Sequence, residues 1–166
     1  MIEVSKAKGS YIYDHKNKRY LDFVAGVSAC SVGHCNKEVI NAIKDQSEMY
    51  MHVMVYGEFV TKPSLELAKL LAKNLPNSLN CTYFTNSGTE ALEGSMKLAR
   101  RFTGRKKIIA AKNAYHGSTM GALTLMGLEE RKKPFAPLIP EVDFINYNSF
   151  EDCLLYTSDA ADDCWS

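Results

Sequence analysis

Between Cys81 and Ala111 the chain passes from an apolar run through a turn of small polar residues into a long amphipathic stretch, then into a second apolar run. Cys81-Thr82-Tyr83-Phe84-Thr85 has the composition of a compact strand, and so does Lys107-Ile108-Ile109-Ala110-Ala111. The residues from Ser87 to about Phe102 keep a helical period, and Gly104 is placed to end it. Val142-Asp143-Phe144-Ile145-Asn146 offers a third strand beyond a loop marked by Pro134, Pro137 and Pro140, and a further helix is expected over Gly117 to Leu125. Strands alternating with helices predict α/β layering with a largely parallel sheet.

The first third of the chain has a different rhythm. Tyr11-Ile12-Tyr13-Asp14 and Arg19-Tyr20-Leu21-Asp22-Phe23 flank a polar turn, the pattern of a hairpin, and Ala25-Gly26-Val27-Ser28-Ala29 is too small and irregular for either element. Asn36 is positioned to cap a helix through Val39, Ile40, Ile43 and Met49, continuing toward His52. Pro63 suits the first turn of another helix, whose leucine stripe ends before Pro76.

The turn Ser87-Gly88-Thr89 has two readings. Ser87 with Glu90 three residues on is a capping box, which is a purely local device. The same residues would present backbone N–H groups and hydroxyls at the positive end of a helix dipole, which suits a phosphate. Gly88 favours the second reading, because glycine is a poor helix former but lets a ligand approach the backbone. No Gly-x-x-x-x-Gly-Lys-Ser/Thr or Gly-x-Gly-x-x-Gly run is present, so a nucleotide-binding domain is remote.

A net charge of +1 over 166 residues, with short basic clusters at Lys16 to Arg19 and Arg105 to Lys107, gives no electrostatic case for nucleic acid. No apolar run reaches the length of a membrane span, and the first residues lack the layout of a secretory signal. Five cysteines without a Cys-x-x-Cys spacing argue against a disulfide framework or a zinc site, so a reducing cytoplasm is expected. No metal site is expected, and His15, His34 and His52 are read as structural or solvated residues.

Tyr13-Asp14, Tyr20-Leu21-Asp22-Phe23, Gly33-His34-Cys35, Asn86-Ser87-Gly88-Thr89-Glu90-Ala91, Lys97-Leu98-Ala99-Arg100 and Tyr115-His116-Gly117 stand in an order and spacing that resembles the class III aminotransferases. This group includes the acetylornithine, ornithine and 4-aminobutyrate enzymes, which depend on pyridoxal 5′-phosphate. The resemblance spans roughly residues 10 to 152. It implies a fold-type I transferase, truncated, with an incomplete three-layer α/β/α large domain and the N-terminal part of the small domain. Residues 1–55 would belong to the small domain and active-site entrance, and 56–153 to the large cofactor domain.

The resemblance also implies site residues. Ser87, Gly88 and Thr89 would hold the cofactor phosphate. Tyr115 would cover the pyridine ring with its flat face, and His116 would shape the site or hydrogen-bond within it. Val27 falls where ornithine enzymes carry a tyrosine toward the substrate amine and the other two groups an aliphatic residue. Ser118 falls where acetylornithine enzymes carry an arginine suited to clamping a carboxylate. The donor is therefore expected to be an amino acid or ω-amino compound, acetylornithine-like or another ω-amine, with the ornithine reading weakened by Val27 and acetylornithine itself by Ser118, so that an amine or other ω-amino donor is favoured. A 2-oxo acid is expected as acceptor, and a homodimer at full length.

The family's Schiff-base lysine and its aspartate partner for the pyridine nitrogen lie downstream of Tyr-His-Gly, and no residue of this chain matches either. The 166-residue chain is thus expected to hold no catalytic residue and to be inactive alone, its apolar faces and a strand edge uncovered. A self-standing module binding phosphate or pyridoxal phosphate without turnover is the alternative. From about Leu154 the sequence loses periodicity and ends in an acidic cluster, which reads as a tail foreign to the fold.

Overall fold

In the computed structural model, residues 1–54 and 56–154 are described. All of the expected foreign tail beyond Leu154 lies outside them. The chain divides into two compact units, Met1–Asn80 and the residues from Cys81 onward.

The first unit opens with an antiparallel sheet of β1 (Val4–Lys8), β2 (Tyr11–Asp14) and β3 (Arg19–Leu21). The hairpin expected from sequence is β2–β3, in the register Ile12 to Tyr20. Asp14 sets its turn: one carboxylate oxygen accepts from the backbone N–H groups of Lys16 and Lys18, each at 2.9 Å, and the other from the Tyr20 hydroxyl. β1 has no counterpart in the sequence reading, because its lysine-rich run Val-Ser-Lys-Ala-Lys alternates too weakly to stand out. It forms because β2 offers a free edge.

Two helices follow in this unit, α1 (Lys37–Met49) and α2 (Lys62–Asn74). Asn36 caps α1 as expected, its side chain accepting from the N–H groups of Glu38 and Val39. The expected continuation toward His52 does not occur, because Tyr50 leaves the helix in extended conformation. Pro63 sits in the first turn of α2, where its missing N–H costs nothing. Both helices carry their apolar stripes, yet neither buries a residue: Ile43 is 63% and Leu70 57% exposed.

The second unit contains α3 (Gly88–Thr103), β4 (Ile108–Ala111), α4 (Met120–Thr124), α5 (Glu129–Lys132), a 3₁₀ turn at Lys133–Phe135, and β5 (Val142–Ile145). β4 and β5 pair in parallel from Ile108–Val142 to Ala111–Ile145, with α4 and α5 in the crossover that such a pairing requires. The expected strand at Cys81 to Thr85 is not one: these residues join no ladder. Their composition suits a strand, but a strand is defined by a neighbour, and the described residues supply none. The helix expected from Gly117 is confined to α4, since Gly117 at φ 121° cannot be helical.

The core lies where α3 meets the parallel pair. Met96, Ala110 and Leu125 are buried there, with Leu92, Ile108, Ile139, Val142 and Phe144 packed around them. Arg100 fastens the end of α3 to both strand entrances, its guanidinium donating to the carbonyls of Lys106 at 2.9 Å and Pro140 at 3.2 Å. Gly104 ends the helix in left-handed conformation, φ 71°.

Candidate functional site

The first turn of α3 is bounded by local chemistry. Ser87 is its N-cap, and its hydroxyl oxygen accepts from the Glu90 N–H at 3.2 Å. The returning half of the capping box is displaced by one residue, because the Glu90 carboxylate accepts from Asn86 at 2.7 Å. The Ala91 N–H goes to the Ser87 carbonyl. That accounts for every early donor of the helix except the N–H groups of Gly88 and Thr89, to which no described residue is bonded. Gly88 has no heavy atom near the position a Cβ would take, so the approach to these two donors is open. Two unpartnered N–H groups at the start of a sixteen-residue helix, beside a serine hydroxyl free to donate, fit the phosphate end of pyridoxal 5′-phosphate.

Against this turn lies the second expected motif. Gly117 packs so closely on Thr89 that a Cβ there would overlap the threonine side chain. This approach brings Tyr115-His116-Gly117-Ser118 to the cradle, a juxtaposition that no sequence spacing specifies. Tyr115 is 60% exposed, and its hydroxyl and that of Ser118 lie 3.4 Å apart. His116 faces elsewhere, into a cavity of about 380 Å³ lined also by Leu92, Ser95, Met96 and Ala99. None of Ser87, Gly88 or Thr89 lines that cavity.

The seam between the two motifs is held by a residue that sequence reasoning passed over. Glu93 Oε1 accepts from the Thr119 hydroxyl at 2.6 Å and from the Gly121 N–H at 2.8 Å, with the Ala122 N–H at 3.4 Å. The Thr119 hydroxyl hydrogen bond, aided by those of Gly121 and Ala122 and by the charge of Lys97, holds the Glu93 carboxyl below the usual glutamate range despite partial burial. Thr119 in turn lies 2.9 Å from the Thr89 hydroxyl. The available signal was the spacing of Glu93 one helical turn after Thr89, but nothing in the sequence marks its distant partners.

In the first unit, Ala25, Gly26, Val27 and Ser28 all have left-handed φ, from 49° to 68°. The Ser28 and Cys30 N–H groups close this turn onto the carbonyls of Val24 and Ala25. A β-branched residue rarely adopts φ near 56°, as Val27 does here, and its side chain is 87% exposed. Asp22 anchors the turn: Oδ1 accepts from the N–H groups of Val24 and Ala25, and Oδ2 meets His34 Nε2 at 2.7 Å. The hydrogen bond from His34, with those from Ala25 and Val24, lowers the Asp22 pKa. His34 thus has a structural role with a named carboxylate partner. His15 lies 3.7 Å from Glu3, and His52 is exposed.

A family model described as aminotransferase class-III matches residues 1–163. The acetylornithine aminotransferase of Archaeoglobus fulgidus is 40% identical over 150 residues, covering 90% of this chain and 39% of that protein. Among solved structures, an (S)-enantioselective omega-transaminase from Thermomicrobium roseum superposes with a TM-score of 0.82 at 31% identity, over 89% of this chain and 34% of the other. The ornithine aminotransferase of Toxoplasma gondii, crystallised with partial occupancy of pyridoxal phosphate at its active site, gives 0.80 at 28% identity, over 95% and 38%. The chain spans about two fifths of the length of the curated relatives it matches.

Proposed function

The chain belongs to the class III aminotransferase family, and from that premise we propose that it is the front portion of a pyridoxal-phosphate-dependent enzyme moving an amino group from an ω-amino donor to a 2-oxo acid. The reading is carried by the pair of unpartnered N–H groups at Gly88 and Thr89, pressed against the loop of Tyr115. When bound, the cofactor supplies an electron sink for bonds broken at the amino-bearing carbon.

The roles of this chain's residues follow from their donors and acceptors. Gly88 and Thr89 bind the phosphate through backbone N–H groups, and Ser87 adds its hydroxyl hydrogen. Tyr115 supplies a ring face on the same side, with Ser118 beside it, while His116 acts behind the loop by packing. Val27 is an aliphatic residue where ornithine enzymes carry a tyrosine toward the substrate amine, and the strain at its backbone is of the kind retained where a side chain must be presented. Ser118 brings no positive charge to meet a donor carboxylate, which favours an ω-amine over acetylornithine despite the names of the relatives. Residues 1–55 belong, on this reading, to a small domain and 56–153 to a cofactor domain, in a cytoplasmic enzyme that dimerises at full length.

Equilibrium dialysis of the 166-residue chain tests the reading. Pyridoxal 5′-phosphate is expected to bind and pyridoxal, which lacks the phosphate, to bind at least tenfold more weakly, with no transamination by this chain alone. Equal retention of the two compounds would remove the phosphate cradle from the argument.

A further inference from the structure

Glu93 lies one helical turn beyond Thr89 on α3 and touches nothing that the proposed function assigns to ligand. Its carboxylate nevertheless joins three pieces of the second unit. One oxygen accepts from the Gly121 N–H, with Ala122 more distant, and so satisfies donors at the start of α4. The same oxygen accepts the hydroxyl of Thr119 at 2.6 Å. Thr119 stands 2.9 Å from Thr89, within the cradle.

The direction of this chain of hydrogen bonds is fixed by elementary bookkeeping. An ionised carboxylate only accepts, and a threonine hydroxyl has one hydrogen to give. Thr119 spends its hydrogen on Glu93, so in its contact with Thr89 it is the acceptor, and Thr89 is the donor. The Thr89 hydroxyl hydrogen is thereby committed to the protein. What Thr89 has left for an anion is its backbone N–H.

We propose that Glu93 is a positioning residue for the phosphate cradle: through Thr119 it locks the Thr89 side chain and the loop at Gly117, leaving anion recognition to the N–H groups of Gly88 and Thr89 and to the Ser87 hydroxyl. This inference rests on the phosphate reading of that turn. It also carries an unusual sign. A negative charge near an anion site opposes binding, so removing it should strengthen phosphate binding unless the order it imposes matters more.

The test uses the full chain labelled with ¹⁵N and two readouts. Without ligand, three-bond couplings at Thr89 should report a single χ1 rotamer in the natural sequence, and averaged couplings in Glu93→Ala and Thr119→Val. With inorganic phosphate as the probe, the Gly88 and Thr89 amide resonances should shift on titration. Glu93→Ala should bind about threefold to tenfold more weakly than Glu93→Gln, the range for freeing one or two ordered side chains. Glu93→Gln keeps a carbonyl oxygen for Thr119 and should bind at least as tightly as the natural chain. Thr119→Val should reproduce the loss while leaving the Glu93 bonds to α4 in place, and Thr119→Ser should restore binding. Averaged Thr89 couplings in the natural chain, or equal phosphate affinity in Glu93→Ala and Glu93→Gln, would overturn the inference while leaving the phosphate site standing. Silent Gly88 and Thr89 amides in the natural chain would overturn both, even with Thr89 locked.

Discussion

Replacing Gly117 by alanine should cost more than any other change of one methyl group in the loop facing the cradle. Gly117 has φ 121°, outside the range that L side chains readily occupy, and its Cβ would stand 2.5 Å from the Cβ of Thr89 and 3.3 Å from its Cα. Turning the threonine about χ1 moves its hydroxyl but not these two atoms, so relief requires the loop to lift off α3. Backbone strain of this kind costs about 1–3 kcal/mol, and forced overpacking adds about 1–3 kcal/mol, giving roughly 2–6 kcal/mol together. Gly104→Ala is the matching control: it also has positive φ, 71°, but no heavy atom within 4 Å of a Cβ, so it bears only the left-handed penalty of about 1–2 kcal/mol. Urea unfolding followed by far-UV circular dichroism, with one slope for both variants, would measure the difference. Gly117→Ala should also lose phosphate binding, because lifting the loop opens the seam between Thr89 and Thr119. Equal destabilisation by the two variants would refute the close approach on which the site depends.

Three further outcomes are expected. Met126, 2% exposed, should cost about 2–5 kcal/mol when cut to alanine, read as a lower urea midpoint. Val27→Asn should stabilise the first unit by up to about 1 kcal/mol, since Val27 is exposed and asparagine tolerates left-handed φ; a lower melting temperature would show that the valine packs in solution. The Asp22 carboxyl is held below its ordinary value of 3.8, chiefly by the His34 hydrogen bond, so its contribution is complete above that value and is lost as the pH falls through the lower folded value. Protection of the Val24 and Ala25 amides, taken relative to their intrinsic exchange rates at each pH, should therefore fall at acid pH, and in Asp22→Asn this acid-induced loss should be absent.

The sequence was most legible where structure is local. Asn36 capping α1, Pro63 opening α2, Ser87 and Gly104 bounding α3, and the β2–β3 hairpin all follow from interactions within a few residues. Where partners are distant, the reading failed or was silent. Cys81 to Thr85 has strand composition but no neighbouring strand among the described residues, and β1 pairs although its sequence is unremarkable. His34 was read as structural without its partner, because Asp22 lies twelve residues earlier and meets it only through the fold.

The candidate site divides along the same line. Ser87, Gly88 and Thr89 could be read as an anion cradle from the chain alone, because a helix start fixes its own unpaired donors, and six motifs in register sufficed for the family. Tertiary structure decided that Gly117 lies on Thr89 and that the Glu93 carboxylate accepts the hydrogen of the Thr119 hydroxyl beside it. Those facts depend on side chains 26 to 30 residues apart, for which no helical period or capping rule carries information. They exist only once α3, the loop and α4 have packed.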